Sequence, residues 1–297
     1  MDPWLLFALA CPLFWAFSNV FDKLLIHGHT KSADEFIFLL SQFQILVFIG
    51  CALTVGVGPI DPMALLSGVL LFFLYALYAI PARDESMSVV IAIHQSEPLF
   101  VLILSSLVGW TFVSGREFLG FLLVTAGVLW FSLPRKGWDR QLIGGRSVAI
   151  LLVSSLVGAC ATLAADAALA KLPVFQVLGQ GCLAYGVTGL LFLVLPRYRR
   201  HVRAGLARGM GRKAALTLAT GLCDLLGYAA FYKALSLASN PGLAAVVTGV
   251  HPLYVVGLAA GLNRIHPILA HEDNTEGRFR AKVTGAGLVV LGVALLG

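Results

Sequence analysis

Two dipeptides carry most of the chemistry this sequence offers, Glu97-Pro98 and His251-Pro252, each set in the middle of a long apolar run. An ionisable group among apolar residues is costly and usually faces a cavity or a partner, which makes each a candidate site. Proline adds a second effect. It lacks the N–H that would bond the carbonyl four residues earlier, and a carbonyl freed in this way can line a cavity. A carboxylate at Glu97 can bind a cationic group or take up and release a proton, and an imidazole at His251 could form the opposite wall. The competing reading for Glu97 is a buried hydrogen bond between helices. His94 lies one helical turn before Glu97 on roughly the same face, placed to tune that carboxylate or pair with it.

Further candidates lie in other apolar runs: Asn19 and Asp22 late in the first, Asp166 in the sixth, and Asp224 with Lys233 in the eighth. Asp22 either pairs with Lys23, whose side chain reaches for the interface, or points with Asn19 into a cavity. Asp224 and Tyr228 share a helix face. Trp15, Tyr75, Tyr78, Tyr228 and Tyr232 could shape an amphipathic pocket, or act as packing and interface anchors.

The elements that hold these residues follow from hydropathy. Hydrophobic residues make up 59% of the chain and charged ones 12%, against roughly a quarter charged in an ordinary globular domain. Apolar runs near twenty residues, each long enough to cross about 30 Å of hydrocarbon as a helix, recur throughout. They do not alternate as barrel strands would. Cutting at Gly, Pro and charge clusters predicts spans at 4–26, 35–55, 62–81, 87–109, 112–133, 147–170, 173–195, 214–236, 241–262 and 281–297. The first has no basic leader and is too long for a signal peptide, so it is read as a retained span. The expected fold is an all-α integral membrane protein of ten transmembrane helices, without a soluble domain large enough to carry the function.

The ten runs fall into two sets of five, 1–134 and 147–297, separated by a polar stretch. Setting Glu97-Pro98 on His251-Pro252 gives an offset of 154, and the register holds back to Tyr78 on Tyr232. The fifth and tenth spans match at another offset, Gly120 on Gly285 and Gly127 on Gly292, and Lys23 and Lys171 close the first and sixth spans. An odd number of spans per half forces opposite orientations, so the expected architecture is an inverted repeat.

Leu13-Phe14-Trp15-Ala16-Phe17-Ser18-Asn19 resembles the opening of the EamA family. Glu97-Pro98 with its following apolar run, and the stretch Leu119 to Val128, resemble that family's fourth and fifth spans, and the same features return weakly in the second half. The resemblance implies the drug/metabolite transporter superfamily. His251 departs from it, since the family pattern often has Glu before that Pro; carboxylate chemistry would then be confined to one half.

Lys and Arg crowd the odd-numbered loops, whereas Arg116 alone occupies the even-numbered ones. The positive-inside rule puts the odd loops in the cytoplasm and both termini outside, the reverse of the family's usual drawing. The basic segment Arg197 to Lys213 either lies on the anionic inner leaflet or is a solvated topology determinant. A net charge of +6 is assigned to lipid headgroups and not to nucleic acid. Five scattered cysteines suggest neither disulfides nor a metal site, and His266, His271, Glu272 and Asp273 read as a solvated loop. Gly257 to Gly261 is a GxxxG that would let helices approach closely.

No nucleophile elbow, phosphate loop or metal triad supports an enzyme, and no cofactor is expected. The reading is a secondary transporter in the cytoplasmic membrane, coupling protonation of Glu97 to export or exchange of a small polar or amphipathic metabolite, as monomer or homodimer. A lipid-linked intermediate such as a polyprenyl-phosphate sugar is the alternative substrate, and a non-transporting membrane subunit a third class.

Overall fold

A computed structural model describes residues 2–84, 87–107, 114–132, 145–207 and 209–262, together with residues 284, 287, 288, 291, 292 and 295. The described residues are helical, without strands: α1 (Pro3–Gly28), α2 (Ala33–Val55), α3 (Pro62–Ala82), α4 (Met87–His94), α5 (Glu97–Leu107), α6 (Gly115–Ser132), α7 (Gly145–Leu169), α8 (Val174–Leu191), α9 (Pro196–Leu206), α10 (Met210–Leu237), α11 (Pro241–Val247) and α12 (His251–Leu262). Six of them, α1, α2, α3, α7, α8 extended by its terminal 3₁₀ turn, and α10, are long and apolar enough to cross a membrane. The predicted tenth span falls mostly outside the described residues, as do His266, His271, Glu272 and Asp273.

Local chemistry sets several helix starts. Asp61 caps α3, its Oδ1 accepting from the N–H groups of Met63 (2.8 Å) and Ala64 (3.3 Å), with Pro62 at the first helical position where no N–H is needed. Asn240 and Pro241 repeat the arrangement at α11. Ser32 caps α2 by accepting from Glu35 N–H at 3.1 Å, and Glu35 reaches back to Lys31 N–H at 2.8 Å. That is a Ser-x-x-Glu capping box displaced by one residue.

Two predicted spans are not continuous helices. The fourth breaks at Gln95-Ser96 between α4 and α5, and the ninth passes through a 3₁₀ turn, Thr248–Val250, between α11 and α12. Both interruptions come immediately before the Glu97-Pro98 and His251-Pro252 pairs. Pro98 leaves the carbonyl of His94 without its helical donor, and Ser155 Oγ of α7 supplies one at 3.2 Å.

Helices α1 and α10 pack along their lengths, as do α3 and α7, and α2 and α8. The tightest approach is between α3 and α8. A Cβ on Gly68 would lie 1.9 Å from the carbonyl oxygen of Gly181. By contrast, a Cβ on Gly257 meets no described residue within 4 Å. Small residues allow close approach only where a neighbour fills the space.

The loops before α2 and α4 and the α9–α10 region gather at one end. Arg83 donates to the Lys31 carbonyl, His201 Nδ1 lies 2.5 Å from Asp34 Oδ2, and Lys213 pairs with Glu35 at 2.6 Å. Asp61, Lys171 and Gln180 meet at the other end. The segment Arg197 to Lys213 contains α9, whose buried face of Tyr198, Val202 and Gly205 turns inward while Arg197, Arg199, Arg200 and Arg203 are exposed.

The expected match of Lys23 with Lys171 fails. Lys23 lies inside α1, whereas Lys171 follows the end of α7 and bonds Asp61 Oδ2 at 3.0 Å, adding a cation to the even-loop end. Lys171, with the two α3 N–H groups, holds the Asp61 carboxyl below the usual carboxylate range. A carboxyl lowered on folding contributes stability that is complete above its unfolded pKa and is lost as pH falls through the folded one. With the Lys171 side chain 60% exposed, the contribution is at most about 1 kcal/mol. Asp61→Asn should therefore keep the cap and flatten the loss of stability below about pH 4, read as melting temperature against pH.

Candidate functional site

A cavity of about 90 Å³, room for several water molecules, lies where both broken spans meet α1, α3, α7 and α10. Its wall includes Trp15, Asn19, Tyr75, Tyr78, His94, Gln95, Glu97, Thr162, Asp224, Tyr228, Tyr232, Thr248 and His251. Seven of the sequence-derived candidates are thus brought together: Glu97, His251, His94, Asn19, Asp224, Tyr78 and Tyr232. Asp22 and Asp166 are not in the wall. Asp22 is 1% exposed against α10, and among the described residues it makes no ion pair with Lys23. Asp166 is half-buried on α7, and Lys233 is exposed.

Glu97 opens α5, directly after the break. Thr162 Oγ1 of α7 donates to its Oε1 at 3.2 Å, and His94 Nδ1 stands 3.8 Å from Oε2. Gly158 makes this approach possible, since a Cβ there would come within 2.7 Å of Oε2. The His94 ring packs edge-on against Tyr78, and its Nε2 is buried without a hydrogen-bond partner.

His251 opens α12 and is held from two sides. Asn19 Oδ1 accepts from the Tyr78 hydroxyl at 3.4 Å, which turns its Nδ2 to donate to His251 Nε2 at 2.8 Å. Nε2 then acts as the acceptor, and the other ring nitrogen, Nδ1, lies 3.3 Å from Gln95 Nε2. Trp15 packs against the same ring, with centroids 6.1 Å apart. Residues from both broken spans therefore touch directly, Gln95 of the fourth and His251 of the ninth.

Thr162, Thr248 and Gln95 have no assigned role in the sequence reading. A threonine in an Ala-rich helix gives no sign of its partner. Gln95 could have been marked as a polar neighbour of Glu97-Pro98.

Residues 2–133 match the model of the EamA-like transporter family. That stretch is similar to the family. The match, with the six long apolar helices, supports a general transport role in a multi-pass membrane protein. The match does not reach the second half, where the residue-level resemblance is weaker and His251 replaces the expected Glu. A solved crystal structure superposes with a TM-score of 0.68 over 98% of this chain and 95% of that one, at 15% sequence identity. A likeness at that identity speaks to the fold alone, and it extends over both halves. No curated protein matches the sequence.

Proposed function

We propose that the chain is a secondary active transporter that exports or exchanges a small polar or amphipathic metabolite by alternating access between two inverted five-helix halves. The observation that carries this is the cavity between the two broken spans, with Glu97 and His251 at corresponding positions in its wall. Discontinuous helices at a repeat interface are where secondary transporters place substrate and coupling-ion sites.

The contact pattern supports the inverted repeat. If the first five spans correspond to the second five, α1 maps on α7, α2 on α8 and α3 on α10. The pairs α1/α10 and α7/α3 then exchange, and α2/α8 maps on itself, as do the broken spans. The tenth span touches the fifth in the same way, a Cβ on Gly292 coming within 2.6 Å of the Gly120 carbonyl. Polar links cross between halves correspondingly: α1 of the first half holds His251, and α7 of the second holds Glu97.

Glu97 is the coupling carboxylate in this reading. It takes a proton from one side and releases it to the other as the halves rock. In this reading the basic end faces the cytoplasm and the N-terminus lies outside, which the positive-inside rule supports. A cavity of about 90 Å³ lined by tyrosines, amides, two imidazoles and two carboxyls suits a compact metabolite better than a polyprenyl chain.

Flux of candidate metabolites into proteoliposomes under an imposed proton gradient tests the proposal. Glu97→Gln should abolish gradient-driven accumulation while leaving exchange at equal pH. Unchanged gradient-driven accumulation would remove Glu97 from the coupling step.

A further inference from the structure

We propose that the cavity takes a small organic cation, a substrate carrying an ammonium group, with Asp224 supplying the negative charge of the second half as Glu97 supplies that of the first. The inference rests on the transport reading above and names the substrate class of that same site.

The repeat leaves the second half without a carboxyl at its proline pair, since His251 stands where the first half has Glu97. The offset that sets Tyr232 on Tyr78 sets Asp224, about two turns earlier in α10, on Leu70 of α3. Duplication therefore does not explain an acid at this position. Asp224 is nevertheless 4% exposed and lies in the cavity wall with Glu97, so each half contributes one carboxyl from a different helix of its set.

No fixed cation answers these two groups. Among the described residues the cavity wall contains neither Lys nor Arg, and neither carboxyl pairs with one. His94 Nδ1 stands 3.8 Å from Glu97 Oε2, too far for a hydrogen bond, and His251 is taken up by Asn19 and Gln95. A carboxylate away from water is costly without a counter-charge, which a bound ammonium would supply. The rest of the wall suits the same ligand. Trp15, Tyr75, Tyr78, Tyr228, Phe231 and Tyr232 all line it. Trp15 packs edge-on to Tyr228 at 5.3 Å and tilted to Phe231 at 5.6 Å, and Tyr228 meets Tyr232 at 6.0 Å, so the rings brace one another around the space. Aromatic rings attract organic cations, more strongly where water is excluded. A substrate whose only charge is a carboxylate or phosphate would meet two carboxyls and no fixed positive group, so the same wall selects against it.

Isothermal titration calorimetry of the full chain in detergent, in phosphate buffer free of organic cations, tests the site without flux. The probes are tetramethylammonium, choline, the uncharged isostere of choline in which tert-butyl replaces trimethylammonium, and pivalate as an anion of similar shape. Both cations should bind the wild type, choline at least about tenfold more tightly than its isostere, and pivalate should not bind. Asp224→Asn and Glu97→Gln should each weaken choline by about thirtyfold or more. Isostere or pivalate binding as tightly as choline would overturn the proposal, as would the failure of both cations to bind, and these comparisons need no variant to fold. An Asp224→Asn variant that melts with the wild type and keeps full affinity for choline would also overturn it. Cation binding without flux in proteoliposomes would support this site and count against the transport reading; flux of an uncharged metabolite without cation binding would do the reverse.

Discussion

Lys213→Met is expected to destabilise the protein by about 3–5 kcal/mol, because it leaves a buried carboxylate without its counter-charge. Glu35 is 0% exposed and Lys213 4%. The ammonium donates to Glu35 Oε1 at 2.6 Å and to the Gly205 carbonyl at 2.7 Å, so two acceptors lose their donor at once. Lys31 N–H still serves Oε2, and water has little room to replace the ammonium, since a Cβ on Gly205 would already lie 2.1 Å from the Glu35 carboxyl carbon. The expected measurement is a large fall in melting temperature in detergent. Glu35→Gln combined with Lys213→Met removes both charges and should recover most of the loss, as paired replacement of buried ions commonly does. A single variant that melts with the wild type would mean that the pair does not tie α2, α9 and α10 together.

Gly68→Ala should be nearly as damaging, at about 3 kcal/mol, the upper end of the usual range for overpacking. The added methyl meets the Gly181 carbonyl oxygen at 1.9 Å, its carbon at 2.6 Å and its Cα at 2.8 Å. These are backbone atoms, so no rotamer change relieves the clash and α3 must move away from α8. Gly257→Ala is the control. It adds the same methyl where no described residue lies within 4 Å and should be neutral or stabilising by up to roughly 1 kcal/mol through helix propensity. Equal melting temperatures for the two variants would contradict the helix contacts described above.

The contrast between these two glycines marks how far the residues alone could be read. GxxxG spacing is visible at Gly257 and absent at Gly68, yet the close contact is at Gly68. Spacing gives the face of a helix but not what lies opposite. The same holds for the ion pairs. Lys213 is one of several basic residues in a loop-like segment, and its partner Glu35 lies 178 residues earlier. The Ser32–Glu35 capping box is local, and nothing in it says that the carboxylate also meets α10. Asp22 illustrates the limit from another side: the neighbouring Lys23 suggested a local pair, whereas helix packing turned Asp22 toward α10.

Much of the site was nonetheless readable. Glu97-Pro98 and His251-Pro252 announced themselves because charge or imidazole within an apolar run demands a partner, and proline demands a rearranged backbone. The two spans were read as continuous, and their breaks come immediately before those pairs. The 154-residue offset that relates the pairs also relates the interruptions that precede them.

The approximate edges of the described spans follow from hydropathy because lipid accepts only apolar segments that satisfy their own backbone. Rotation and partner choice do not follow from it. A membrane helix is apolar on the side that meets lipid and on the side that meets protein, so the pattern that marks the buried face of a soluble helix is largely erased. Which of Asn19, Asp22, Thr162 and Asp224 reach the cavity was therefore decided by packing between distant segments.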